Sequence, residues 1–165
     1  TMTGSVCSFL MRSLQQGVKA AIAIALLAAQ AAVAADDFPP PGQCPQQRTT
    51  KSAPPEILNT VNFLAQDADS INRGKQLYRT KAGTTSCVTC HGDHGDGKGI
   101  MANRFAPPPR NFKCAETMRD VPDGQLYWII KNGSDGTAMP GTKSLGKLTD
   151  SEIWQVVAYI RTFAR

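Results

Sequence analysis

Residues 87–91 read CVTCH, and this pentapeptide is the strongest indication of what kind of protein this is. C-x-x-C-H is the attachment signature of a c-type haem. The thiols of Cys87 and Cys90 stand one helical turn apart and can bond the two vinyl groups on one edge of a porphyrin. His91 follows at once and can give a ring nitrogen to the iron. The motif predicts one haem c, covalently attached through both cysteines, with His91 as the proximal ligand.

Two other uses of these residues fit the sequence less well. A redox C-x-x-C of the thioredoxin kind needs a βαβ context, and the flanking sequence has no such pattern. A zinc site built from Cys87, Cys90, His91 and His94 lacks the long spacer that separates ligand pairs in zinc fingers. The glycines of residues 92–99 complete no phosphate-binding motif, and we expect them to provide tight turns beside the haem.

The first 35 residues have the pattern of a secretory signal peptide. Arg12 and Lys19 accompany an alanine-rich apolar run, residues 20–35, that ends in the small residues of a cleavage site. The alternative is an uncleaved membrane anchor, although a spanning helix needs about 20 strongly apolar residues. We therefore expect a periplasmic protein that has no stable membrane insertion after cleavage.

The remaining chain divides into a Pro-rich extension, residues 36–68, and a haem domain, residues 69–165. Five cysteines are present. Cys7 lies in the expected signal peptide and two bind haem, which leaves Cys44 and Cys114. An oxidising compartment would allow these two to pair, and the bond would stabilise the domain by about 2–4 kcal/mol. Two free thiols are the alternative that the sequence leaves open.

The pattern of apolar residues predicts helices and no strands, so we expect an all-α fold of three to five helices around one haem. The last helix is the best marked, because a capping box precedes a periodic apolar face. The predicted helices are 56–66, a segment from Asp69 or Ser70 to about Gly83, residues 123–131 ended by Asn132 and Gly133, and a last helix that begins with the box Thr149–Glu152 and buries Ile153, Val156, Val157, Ile160 and Phe163.

The second axial ligand of the iron decides what the haem does, and Met139 is the candidate. It stands 48 residues after His91, between two helices, among small or polar neighbours and before Pro140. Core methionines usually lie in periodic apolar stretches, and this one does not. A thioether is a soft neutral donor, and His/Met ligation raises the reduction potential. Met101, Met118 and His94 are weaker candidates.

The chain resembles the class I c-type cytochromes, in their small bacterial monohaem branch, over about residues 70–165. The resemblance implies the cytochrome c fold, with first and last helices that cross closely at Gly74, and with Tyr78 packed near Tyr159 or Trp154. It also implies that a proline carbonyl, that of Pro108 or a neighbour, accepts the other N–H of His91. The matching residues are Gly74, Tyr78, Cys87-x-x-Cys90-His91-Gly92, Pro107–Pro109, Met139-Pro140, Trp154 and Tyr159.

Such a protein is expected to carry single electrons between redox proteins, free or as the cytochrome subunit of a redox complex, and not to be an enzyme. The alternatives are a haem enzyme of the peroxidase or sulfur-oxidising kind, and a gas-sensing module with a displaceable Met139. The single C-x-x-C-H and the lack of an evident distal acid or base favour the carrier.

The net charge of +5 falls to +3 without residues 1–35, because two basic residues and no acids are removed. This charge and the absence of an aromatic-basic array argue against nucleic acid as a partner. A basic ring around the haem edge would favour an acidic redox partner, although an ordinary solvated surface explains the charges equally well. The basic residues near the expected haem are Lys75, Arg79, Lys81, Lys98, Arg104, Arg110, Lys113, Lys143 and Lys147.

Overall fold

The computed structural model describes residues 39–46, 48–80, 86–142 and 148–164. Regular structure in these ranges is helical, with an isolated bridge between Gly133 and Pro140 and no strand. The all-α prediction is confirmed. The predicted signal peptide lies outside the described residues. The helices are α1 (Pro55–Leu58), α2 (Ala68–Thr80), α3 (Cys87–His91), α4 (Ala115–Arg119), α5 (Asp123–Asn132) and α6 (Asp150–Arg161), with 3-10 helices at Phe63–Gln66, Ala102–Arg104 and Thr162–Ala164.

The close crossing of α2 and α6 organises the fold. A Cβ atom added at Gly74 would lie 1.9 Å from the backbone oxygen of Gln155, so only glycine fits at this contact. One turn further along α2, the ring of Tyr78 meets that of Tyr159 edge to face, with 5.4 Å between centroids. Both roles agree with the sequence prediction. Trp154, the other predicted neighbour of Tyr78, stacks instead on Tyr127.

α6 supplies much of the core. Its predicted capping box is present, since the Thr149 side chain accepts the Glu152 N–H and the Glu152 side chain accepts the Thr149 N–H. Ile153, Val156, Val157 and Ile160 are all buried. Each such side chain contributes about 1.5–3 kcal/mol when it is fully buried. Phe163, also predicted on this face, lies in the following 3-10 helix and packs against the core while partly exposed.

The extension departs from the prediction of one helix over 56–66. α1 ends at Leu58, and a separate 3-10 helix, Phe63–Gln66, follows. The side-chain oxygen of Asn62 accepts the N–H of Leu64 at 3.2 Å, and its amide donates to the carbonyl oxygen of Trp154 at 3.0 Å. An asparagine that bonds to nearby backbone competes with helix propagation, which explains the break.

One helix boundary also differs from the prediction. α2 begins at Ala68, and the Asp67 carboxylate accepts the N–H of Ser70 at 2.8 Å, so Asp67 is the capping residue rather than Asp69 or Ser70. The predicted stop near Gly83 lies outside the described residues. α5 ends at Asn132 with Gly133 at a φ of +88°, as predicted. The five-residue helix α4 was not predicted.

The extension is tied to the helices by buried amide groups. The Gln125 side chain accepts the N–H of Ala53 at 2.8 Å and donates to the carbonyl oxygen of Lys51 at 2.9 Å. The sulfur atoms of Cys44 and Cys114 are bonded, with their Cα atoms 5.4 Å apart. The described part of the extension therefore packs as part of the folded domain. Within the described ranges, no helix is long and apolar enough to cross a membrane.

We predict that Gly74→Ala destabilises the haem-loaded protein by about 1–3 kcal/mol, the usual cost of overpacking, although alanine is the better helix former. The added methyl group meets backbone, which no side-chain rotation relieves. Denaturant unfolding followed by circular dichroism measures the change. The control is Lys75→Ala at the exposed neighbouring position, which should leave stability unchanged. Equal stability of the two variants would contradict the role of the crossing.

Candidate functional site

A cavity of about 860 Å³ lies beside the CVTCH helix α3. Its volume is in the range of about 300–1,000 Å³ that is usual for ligand and cofactor pockets. All the residues predicted for the site line this one cavity, although they come from three separate parts of the chain. These residues are Cys87, Cys90, His91, Pro108 and Met139.

The two cysteines of α3 are neutral thiols rather than thiolates. Burial raises the pKa of Cys87 to about 11 and also raises the pKa of Cys90. A thiol with a raised pKa is a poor nucleophile in disulfide exchange, which argues against a redox C-x-x-C. Among the described residues, no metal-binding cluster contains Cys87, Cys90, His91 or His94. The zinc alternative therefore finds no support.

His91 is buried and fixed by two contacts. Its Nδ1–H donates to the carbonyl oxygen of Arg110 at 3.1 Å. The Phe112 ring stacks on the imidazole, with 4.5 Å between centroids. Burial lowers the pKa of His91 to about 4, so the imidazole is neutral at physiological pH. Because Nδ1 carries the proton, the lone pair of Nε2 is available to a metal.

The acceptor of this hydrogen bond corrects one prediction. Pro108 or a neighbouring proline was expected to accept from His91, and the acceptor is Arg110 instead. The proline carbonyls face the extension. The carbonyl oxygen of Pro108 accepts from the Arg48 guanidinium, and that of Pro109 accepts from the Gln46 amide at 3.2 Å. Pro108 still lines the cavity.

The loop that carries Met139 is held by its own backbone. The N–H of Ser134 donates to the carbonyl oxygen of Met139 at 3.1 Å, and the N–H of Met139 donates to the Thr137 hydroxyl at 3.1 Å. Gly133 approaches so closely that a Cβ there would lie 2.8 Å from the backbone nitrogen of Gly141. The loop thereby holds a half-buried methionine at the cavity wall.

The weaker ligand candidates occupy other places. Met101 and His94 do not line the cavity. Met118 is 1% exposed and belongs to the hydrophobic core. The glycines after the motif make the predicted turns, with positive φ at Gly92, Gly95 and Gly97.

Of the predicted basic ring, five members are exposed in the described part of the chain, at Lys75, Arg79, Lys98, Arg104 and Lys113. Arg79 pairs with Asp93 at 3.3 Å, and Arg110 is half-buried in the cavity wall. Lys81, Lys143 and Lys147 lie outside the described residues. An acidic docking partner stays a prediction.

The sequence failed to identify the contribution of the extension to the site. Its residues form part of the cavity wall, yet they lie before the residues that resemble a cytochrome. Proline and polar residues in this segment show no periodicity. The only signal of proximity was that Cys44 and Cys114 remain after the haem cysteines are assigned, and could pair with each other. The lining residues from the extension are Pro45, Gln46, Arg48, Thr50, Ser52 and Leu58.

Gln46 joins the extension to residues 109–111, the strip of chain beside His91. Its side-chain oxygen accepts the N–H of Asn111 at 2.7 Å, and its amide donates to the carbonyl oxygen of Pro109. Its backbone oxygen accepts from the guanidinium of Arg110 at 3.0 Å. Gln46 is 4% exposed. These bonds fix the segment whose Arg110 carbonyl orients His91.

A profile of the family described as Cytochrome C oxidase, cbb3-type, subunit III matches residues 69–160. Among solved structures, the fold is similar to a chain of the Kuenenia stuttgartiensis reducing HAO-like protein complex, with a TM-score of 0.50 and 24% sequence identity. That likeness covers 59% of this chain and 45% of the other, so this chain spans less than half the length of its structural neighbour. No curated protein matches the chain.

We predict that Gln46→Met destabilises the haem-loaded protein by about 2–4 kcal/mol. Methionine has a similar length but leaves the buried N–H of Asn111 and the partly buried carbonyl oxygen of Pro109 without partners. An unpaired buried group costs about 1–3 kcal/mol. Denaturant unfolding measures the loss. Gln43→Met is the matched control, because Gln43 is exposed. If both variants unfold at the same denaturant concentration, the Gln46 bonds do not hold the cavity wall.

Proposed function

The chain belongs to the c-type cytochrome family described as cytochrome c oxidase, cbb3-type, subunit III, and on this premise we propose that it is a periplasmic one-electron carrier with a single covalent haem c. Electron transfer through haem is implied by membership of the family. The observation that carries the finer proposal is the shared cavity of Cys87, Cys90, His91 and Met139.

The donor set of the cavity fits haem c. Two neutral thiols stand one helical turn apart for covalent attachment, and a neutral imidazole has its Nδ1 proton already engaged. When bound, the haem supplies one-electron exchange between ferric and ferrous iron. His91 would hold the iron from one side, and the Arg110 carbonyl would keep its ring oriented.

Met139 decides between a carrier and a reactive haem. As the second axial ligand it would leave the iron no open position for a substrate or a gas, and its thioether would favour the ferrous state. The hydrogen-bonded loop around Met139 supports this role, because a preformed loop resists displacement of the ligand. We therefore place the protein among electron carriers rather than enzymes or gas sensors.

The partners proposed for this carrier are a donor and an acceptor that are themselves redox proteins. A chain of similar fold comes from a protein complex, which supports a role as a subunit of a redox complex beside that of a free carrier. The single C-x-x-C-H motif supports one haem.

Met139→Leu tests the ligand and with it the function. The wild-type protein should show low-spin ferric haem with the weak long-wavelength band of thioether ligation, and should bind carbon monoxide slowly when reduced. The variant should lose that band and bind carbon monoxide rapidly. Met101→Leu, at a half-buried methionine away from the cavity, should behave like wild type. A wild-type protein that is high-spin or binds the gas rapidly would favour the enzyme or the sensor.

Intact mass of protein from the periplasmic fraction tests export and both kinds of cysteine chemistry. We expect a chain without residues 1–35 that carries the mass of one haem after denaturation. Reduction should add two hydrogen masses as the Cys44–Cys114 bond opens, and Cys44→Ser should abolish that gain. An intact N-terminus in the membrane fraction would instead indicate the anchor, and an unchanged mass on reduction would indicate free thiols.

A further inference from the structure

Two guanidinium groups stand in the wall of the cavity, and the electron-transfer role proposed above assigns them no task. Arg48 comes from the extension, and Arg110 comes from the segment after the three prolines. Both side chains are half-buried. The profile match begins at residue 69, so Arg48 lies outside the part of the chain that resembles the family.

Each guanidinium is fixed by the opposite segment. Arg48 donates to the carbonyl oxygen of Pro108, and Arg110 donates to the carbonyl oxygen of Gln46 at 3.0 Å. Each of the two segments, around residues 46–48 and 108–110, therefore donates an arginine hydrogen bond to the backbone of the other. This arrangement places two positive charges on one side of the cavity. A guanidinium has five N–H donors, and each of these bonds uses one of them.

No carboxylate in the described part of the chain forms an ion pair with either arginine. The four ion pairs there involve Arg73, Arg79, Lys131 and Arg161. The acids that line the cavity, Glu116 and Asp120, are exposed. Two partly desolvated positive charges side by side are unfavourable unless an anion joins them.

The electrostatics agree with this geometry. Burial lowers the pKa of Arg48, and burial together with the charge of Arg48 lowers the pKa of Arg110 to about 10. The two arginines therefore repel each other, as expected for two positive groups in one cavity wall.

We propose that Arg48 and Arg110 bind the carboxylate side chains of the haem, and that the extension serves to bring Arg48 to the cofactor and raise its reduction potential. A planar guanidinium pairs with a carboxylate through two parallel hydrogen bonds. Such pairing compensates the positive charges of Arg48 and Arg110. It also keeps positive groups beside the haem, which favours the ferrous state of the iron. The inference rests on the proposed haem site.

The test is the midpoint potential of the haem-loaded protein, measured by spectroelectrochemistry, in Arg48→Lys, Arg48→Gln and Arg48→Glu. We expect the potential to fall with the charge, with Lys nearest to wild type. Arg48→Gln should lower the reduction equilibrium constant about tenfold, which is ~59 mV for a one-electron couple. Arg110→Gln should act in the same direction, since the bond to His91 comes from its backbone. Arg119→Gln, at an exposed arginine outside the cavity wall, is the control.

Resonance Raman bands of the haem carboxylates provide a second readout, and they should shift in Arg48→Gln but not in the control. A purely structural role would lower unfolding stability in all three Arg48 variants without ordering their potentials by charge, and that result would overturn the inference. If Arg48→Gln or Arg48→Glu does not acquire haem, the potentials of Arg48→Lys and Arg110→Gln still test the inference. A wild-type protein without a c-type haem spectrum would instead refute the proposed function, so the two failures are distinguishable.

Discussion

Gly74 has no side chain at the point where α2 crosses α6. It lets α2 approach the backbone of α6, since a Cβ would lie 1.9 Å from the Gln155 oxygen. At that separation Tyr78 is fully buried against Tyr159, and its hydroxyl donates to the carbonyl oxygen of Gly92 at 2.8 Å. Gly92 follows the haem motif directly. Tyr78 thereby connects the helix crossing to the chain next to His91. A change in the packing of α2 against α6 would therefore also move the residues that surround the cavity.

The opposite wall of the cavity is held differently, by polar groups rather than by packing. Gln46 and Arg48 bond to the backbone of residues 108–111, and Arg110 returns a bond to Gln46. A buried amide that satisfies both of its ends specifies one register between two segments that have no secondary structure. This matters for His91, because the carbonyl oxygen that orients its ring belongs to the same strip. Proline-rich chain suits such a wall, since its backbone is stiff and lacks N–H groups that would need partners.

Features that are specified by residues close together in the sequence could be predicted, whereas contacts between distant segments could not. The capping box at Thr149 and the glycine after α5 specify their structure within a few residues, and both regions fold as predicted. The break at Asn62 was missed because its side chain is held both by the N–H of Leu64 and by the carbonyl oxygen of Trp154, 92 residues away, and the second bond leaves no local signal. The acceptor for His91 was misplaced from proline to Arg110 for a related reason, since the extension occupies the proline carbonyls. Contacts between segments without periodicity leave no pattern in the chain.

These contacts also change where the functional unit begins. The part that resembles the family starts at residue 69, whereas the cavity wall starts at Pro45. A domain cut at residue 69 would keep the core helices, both thiols and His91, yet it would remove the groups bonded to the carbonyls of Pro108 and Pro109. The buried N–H of Asn111 would lose its acceptor as well. Because the strip that orients His91 would then be free to move, the loss would fall on the haem environment before it fell on the helix crossing. The extension is therefore a structural part of the haem cavity rather than a separate segment attached to the cytochrome domain.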